Sequence, residues 1–185
     1  MIHVALIATL VLAATPAAAE TAAAWAALRQ GGNVALMRHA SAPGGAGDPP
    51  GFKLEDCSTQ RNLSEKGRAQ AAAVGAQIKS NSVSVTTIAS SPWCRCLETA
   101  KLMDLGPVQV EPAFSNAFVL AARRDELNKS ATAIISAWRS GTLIVVTHGA
   151  NIQALSGHLL APGEMIVVAP DSMPPRVIGR IPPPN

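Results

Sequence analysis

The sequence predicts an α/β sandwich built on parallel strands, and three observations carry that expectation. Short β-branched runs alternate along the chain with longer segments of helical periodicity. One run, TLIVVT at 142–147, is continuous enough for a strand in a parallel sheet covered on both faces. The 185 residues, 48% hydrophobic and 15% charged, suffice for one sizeable core and exclude a disordered chain.

Residues 1–19 read as a secretory signal peptide. Val4 to Ala14 is an apolar run of eleven, too short to span a bilayer as a helix. Thr15-Pro16 and Ala17-Ala18-Ala19 follow it, a small-residue cleavage pattern that makes Glu20 the first mature residue. The leading Met1-Ile2-His3 carries no Lys or Arg, so an uncleaved interfacial or anchor helix is the alternative. Export implies a bacterial periplasm, and residues 20–185 then form one domain without a further membrane-spanning stretch.

Within that domain a strand is expected at 33–37 (NVALM), after the Gly31-Gly32 turn. Residues 41–61 form a long loop rich in Gly, Pro and Asp. Ser64 caps a helix from Glu65 to about Lys79, with Ala71, Val74, Gly75 and Ile78 on its apolar face. A strand at 85–90 (VTTIAS) leads to Pro92 in the first turn of the next helix, and 108–110 is a short strand. Residues 121–138 form an amphipathic helix with Leu127, Ala131, Ile134, Ile135 and Trp138 as its stripe. The strand at 142–147 precedes a helix from about 151 to 160, with strands at 165–169 and 176–181 to close the domain. The Pro182-Pro183-Pro184 tail cannot pair.

Composition excludes several classes. A net charge of +3 with no run of Lys or Arg provides no stripe for nucleic acid, and three Phe, three Trp and no Tyr provide no base-stacking platform. The carboxylates are scattered, and Cys57, Cys94 and Cys96 lack zinc-site spacing, so neither a metal nor another cofactor is expected.

The chemistry lies where strands end. One strand runs into Arg38-His39, another into Ser91-Pro92-Trp93-Cys94-Arg95, and the strongest into His148-Gly149. In an open α/β sheet, ligands bind beyond the carboxyl ends of the strands, so two arginines and two histidines share one edge. Guanidiniums match phosphate oxygens and keep their charge when desolvated. One imidazole can attack phosphorus to give a phosphohistidine; the second, if protonated, stabilises the charge in transit.

These residues resemble the histidine phosphatase superfamily, also called phosphoglycerate mutase-like. Leu36-Met37-Arg38-His39-Ala40 is similar to its RHG signature, with Ala40 for the usual Gly. The segments from Asn62 to Ala71, from Ser90 to Ala100 and from Val145 to Ile152 resemble three further family motifs, in the expected order. The resemblance implies a three-layer αβα sandwich around a mostly parallel sheet. It also implies phosphomonoester hydrolysis, with His39 as nucleophile, Arg38 and Arg95 clamping the phosphoryl oxygens, and His148 completing the pocket. His158 matches nothing and is expected on a helix surface, and Arg61 is expected to be solvated rather than bound to phosphate.

Many members carry a general-acid Glu after the second Arg, but Asn116 stands at the comparable position, and an amide is no acid. Asp125 or Glu126 could substitute, each being otherwise an ordinary first-turn helix charge. A leaving group that departs unaided is another solution. Failing all of these, the chain would be a phosphate- or phosphoglycan-binding module with weak turnover. The chain looks most like the small exported phosphatases that include lipopolysaccharide core heptose phosphatases, which implies a small phosphorylated substrate, with phosphosugar and phosphoprotein both open. Three Cys in an oxidising compartment allow one disulfide. The family commonly keeps Ala or a buried Cys just after the second Arg, so Cys96 is expected to be the free thiol and Cys57–Cys94 the bridge.

Overall fold

The structure, a computed structural model, describes residues 15–45 and 47–184. Among these, six strands form one sheet: β1 (Asn33–Arg38), β2 (Val85–Ser90), β3 (Val108–Val110), β4 (Thr142–Thr147), β5 (Met165–Ala169) and β6 (Arg176–Ile181). Their order is β3-β2-β4-β1-β5-β6. The first four strands run parallel, and β5 and β6 add as an antiparallel edge. Every residue of β4 is buried, as its unbroken apolar run requires of the strand at the centre of a two-faced sheet.

Period-two alternation sends neighbouring strand residues to opposite faces. On one face Ala35, Met37, Ile144, Val146 and Val167 pack against the helices α1 (Pro16–Gln30), α2 (Glu65–Ser80) and α3 (Cys94–Leu102). On the other, Val34, Leu36, Leu143, Val145 and Ile166 pack against α4 (Arg124–Ala137) and α5 (Gly149–Ser156). The architecture is therefore the expected three-layer αβα sandwich, mostly parallel. Gly67 permits the close approach of α2 to the chain leaving β1: a β-carbon there would collide with the Ser41 carbonyl.

Several element boundaries differ from the sequence reading. The helix α1 was not expected; Thr15 caps it and Pro16 takes its first position, a start signal that the cleavage pattern had absorbed. Residues 1–14 of the signal-peptide reading lie outside the described residues, and Ala17-Ala18-Ala19 are exposed in the first turns of α1. The packed part of that helix begins at Thr21, whose hydroxyl donates to the Arg180 carbonyl, and includes Ala24, Trp25 and Leu28. Helix α3 starts at Cys94 rather than Pro92, and α4 is preceded by a 3₁₀ turn over Ala121–Arg123. Helix α5 ends at Ser156, because Gly157 takes the left-handed conformation that terminates helices. His158 consequently sits half-buried in the following loop, not on a helix.

The Cys57–Cys94 disulfide is present and Cys96 is a buried free thiol. No helix among the described residues is long and apolar enough to cross a membrane.

Candidate active site

The three strands that carry chemistry are neighbours, and their register brings their ends together. Arg38 pairs with Thr147 across β1 and β4, and Ser90 pairs with Val146 across β2 and β4. The chain leaves these ends as Arg38-His39, as Ser91 followed by α3, and as His148 followed by α5. A cavity of about 220 Å³ opens there, lined by Arg38, His39, Arg61, Arg95, Asn116 and His148, among others. Gly149 and Ala150, the first residues of α5, also line it. Helix α5 has no side-chain cap, so its first-turn N–H groups favour an anion at this edge, whereas the first amide of α3, that of Cys94, donates to Gln60 Oε1 at 3.0 Å.

His39 is buried, and its Nδ1 lies 2.8 Å from the Ala40 carbonyl oxygen. A carbonyl can only accept, so Nδ1 carries the proton and Nε2 keeps its lone pair. Burial is the main cause that lowers its pKa, to about 3; the Ala40 bond opposes this and the charges of Arg95, Arg61 and Arg38 add to it. The His39 imidazole is thus neutral at neutral pH.

His148 is set from two sides. Its Nε2 is 2.8 Å from the Ser91 hydroxyl, and its Nδ1 is 3.5 Å from Nη2 of Arg95. Guanidinium only donates, which makes Nδ1 the acceptor and leaves the proton on Nε2, shared with Ser91. Burial, then His39 and the arginines, hold its pKa well below the ordinary value. With its pKa so lowered, the His148 imidazole is neutral at neutral pH. The two rings stand edge to face, with centroids 5.6 Å apart.

The arginines differ from one another. Arg38 donates Nη1 to the Leu160 carbonyl at 2.7 Å, and Arg95 directs Nη1 and Nη2 to Asp48 at 2.6 and 3.3 Å. The Nε–H of each is buried without a hydrogen-bond partner among the described residues. Two orphaned guanidinium donors beside one cavity are unfavourable unless an oxygen-rich guest completes them. Arg61, expected in solvent, lines the cavity instead; Nε and Nη1 donate to the carbonyls of Gly47 and Ala42 at 2.9 and 2.8 Å.

The remaining candidates separate clearly. Asn116 lines the cavity, but its Oδ1 accepts from the amides of Phe118 and Val119 and so shapes the turn that follows. Asp125 and Glu126 are exposed in the first turn of α4 and do not line the cavity. Glu126 pairs there with Arg123. No carboxylate lines the cavity among the described residues. Nor does any group of three or more His, Cys, Asp or Glu among them stand ready to hold a metal ion.

Two residues escaped the sequence reading. Ser91, which orients His148, fell inside a recognised motif without being assigned a role. Asp48 sits in the irregular 41–61 loop, where its ion pair with Arg95, its bond from Trp93 Nε1 at 2.9 Å and its bond from the Arg61 amide at 3.1 Å are all long-range.

A profile of the histidine phosphatase superfamily (branch 1) matches residues 34–121. No curated protein matches at a significant level. Among solved structures, the chain is similar to the protein histidine phosphatase SixA complexed with tungstate, at 17% identity and a TM-score of 0.54, covering 82% of this chain and 97% of that one. It is similar to TTHB049 from Thermus thermophilus, at 17% identity and a TM-score of 0.57, covering 81% and 99%. The Rv3214 protein from Mycobacterium tuberculosis matches at 17% identity and a TM-score of 0.56, over 78% and 94%. At such identities these likenesses speak for the fold, and the profile match spans the strand ends at Arg38-His39 and Ser91–Arg95 but not the one at His148. Residues 34–121 of the chain are thus similar to the histidine phosphatase superfamily (branch 1), and the fold around them is that of its solved members.

Proposed function

We propose that the protein is a phosphatase that acts through a covalent phosphohistidine on His39, with Arg38, Arg61, Arg95 and His148 around the phosphoryl group. The observation that carries this reading is the fixed tautomer of His39, which leaves a free Nε2 lone pair in a cavity lined by three guanidiniums. In the first step Nε2 bonds to phosphorus while the bond to the leaving atom breaks, and the leaving group departs with that electron pair. Water then bonds to phosphorus and the P–N bond returns its pair to Nε2. One proton of that water ends on the leaving group, and the released phosphate keeps the other. The guanidiniums supply the positive charge that the transfer requires, and the scheme uses no metal ion.

With no carboxylic acid in the cavity, nothing there can protonate a departing alkoxide. This favours substrates whose leaving group needs no proton from the protein, such as aryl or acyl phosphates and phosphohistidine protonated by solvent at its free ring nitrogen, over the sugar phosphates of a lipopolysaccharide core. The SixA neighbour is named as a protein histidine phosphatase, and phosphohistidine belongs to the favoured class. Export to the periplasm, with cleavage before Glu20, is part of this proposal; the exposure of Ala17-Ala18-Ala19 and the Cys57–Cys94 disulfide support it.

Turnover of 4-nitrophenyl phosphate should fall to background in His39→Ala with the circular-dichroism spectrum unchanged, and a fully active variant would contradict the mechanism. Asn116 at the acid position favours one other reading, a phosphate- or phosphoglycan-binding module. Tight phosphate binding with no hydrolysis of any ester by the wild-type protein would select it.

A further inference from the structure

Five large apolar side chains stand exposed among the described residues: Leu54, Val110, Phe118, Leu159 and Met173. Isolated exposed apolar residues need no explanation, but two of these five, Phe118 at 54% and Leu159 at 64% exposure, line the cationic cavity. They arrive from different elements, Phe118 from the turn after Asn116 and Leu159 from the loop after α5.

Both are held in place rather than dangling. The Phe118 amide donates to Asn116 Oδ1 at 3.1 Å, and the preceding Ala117 amide donates to Asn151 Oδ1 of α5 at 3.2 Å. The ring also lies against Gly47, whose φ of +84° is a glycine conformation; a β-carbon there would stand 3.7 Å from Cε1 of Phe118. Leu159 precedes Leu160, whose buried side chain anchors the loop and whose carbonyl receives Arg38 Nη1 at 2.7 Å. The same short segment thus presents an apolar side chain and fixes a phosphate-facing arginine.

We propose that Phe118 and Leu159 form an apolar collar that selects an aromatic leaving group on the phosphoryl substrate. The proposal rests on the phosphatase reading above and specifies its substrate class. The arginines account for the phosphoryl oxygens and leave the other end of the substrate to the collar. An aromatic or heteroaromatic ring there would bury its faces against Phe118 and Leu159. Such rings are also the groups that depart from phosphorus without a protonated acid, which the cavity lacks. The absence of a carboxylate and the presence of two apolar residues are separate features that suit the same substrate.

Calorimetry with non-hydrolysable phosphonates tests the collar without relying on turnover. The wild-type protein should bind 1-naphthylmethylphosphonate at least tenfold more tightly than methylphosphonate, and Phe118→Ala/Leu159→Ala should reduce that ratio below threefold. Both side chains are exposed, so the double variant should fold, and an unchanged thermal melt would verify it. A wild-type ratio near one, or a ratio that survives the double substitution, would overturn the collar. Hydrolysis of phenyl phosphate, measured in parallel, judges the phosphatase reading separately. An apolar preference without hydrolysis sinks only the latter.

Discussion

Asp48 and Arg95, 47 residues apart in the chain, form an ion pair with neither side chain exposed, Nη1 to Oδ1 at 2.6 Å and Nη2 to Oδ2 at 3.3 Å. The pair occupies the outer fork of the arginine and leaves its Nε–H without a partner among the described residues, so Asp48 positions Arg95 and ties the 41–61 loop to the sheet edge. Burial alone would raise the Asp48 pKa, but the hydrogen bonds and charge of Arg95, with the Arg61 amide and Trp93, outweigh it and lower the pKa. Asp48→Asn should therefore lose about 3–5 kcal/mol of stability, because it leaves a buried guanidinium uncompensated. It should also lower kcat more than it raises KM. Urea denaturation and steady-state kinetics on 4-nitrophenyl phosphate check both. The pair's contribution holds above the ordinary aspartate pKa near 4 and fades as pH falls from there through the lowered folded value.

Arg61→Ala should reduce kcat/KM by roughly a hundredfold, about 3 kcal/mol, the scale of one lost donor to a developing charge. Its guanidinium also supports the carbonyls of Gly47 and Ala42, so Arg61→Lys should recover only part of the loss. A variant as active as wild type would return Arg61 to the solvated role the sequence suggested.

The buried histidines predict acid sensitivity. His39 and His148 both have folded pKa values below 6.5, so each is neutral in the fold while its unfolded counterpart gains a proton. Their contribution is fully present above pH 6.5 and falls by up to about 1.4 kcal/mol per pH unit per group below it. For His39 the loss continues to about pH 3. Unfolding measured at pH 7.5 and 5.0 should show this loss, and His39→Ala should flatten the slope. In NMR titrations the His39 ring protons should not move between pH 8 and 5.

The Cys57–Cys94 bridge closes a sequence separation of 37 residues, worth about 4 kcal/mol in the chain-entropy account. Reduction, or Cys57→Ser, should lower the denaturation midpoint accordingly. Activity at low temperature should persist, since the Asp48–Arg95 pair still holds the loop. An unchanged midpoint would show that the bridge contributes nothing to stability.

The parts of the site that the sequence revealed are those where periodicity breaks abruptly. The strand at 142–147 stops at His148 and the strand at 33–38 at Arg38-His39, so polar residues ending buried runs stood out, and parallel pairing placed them together. Asp48 and Arg61 could not be found that way, because they lie in a loop without periodicity and their partners are distant side chains and carbonyls. Helix α1 was hidden for another reason: its alanines form no clear stripe, and the Thr15-Pro16 cap was read as part of a cleavage site. Gly157 was a legible stop signal for α5, and giving it weight would have placed His158 in the loop it occupies.

The central claim is that phosphate passes through His39. Brief incubation with labelled 4-nitrophenyl phosphate, quenching in alkaline denaturant and mass spectrometry of peptides should place one phosphoryl group on His39. That label should be stable to base and lost in acid. Label on any other residue, or none from protein that is turning over, would contradict the account.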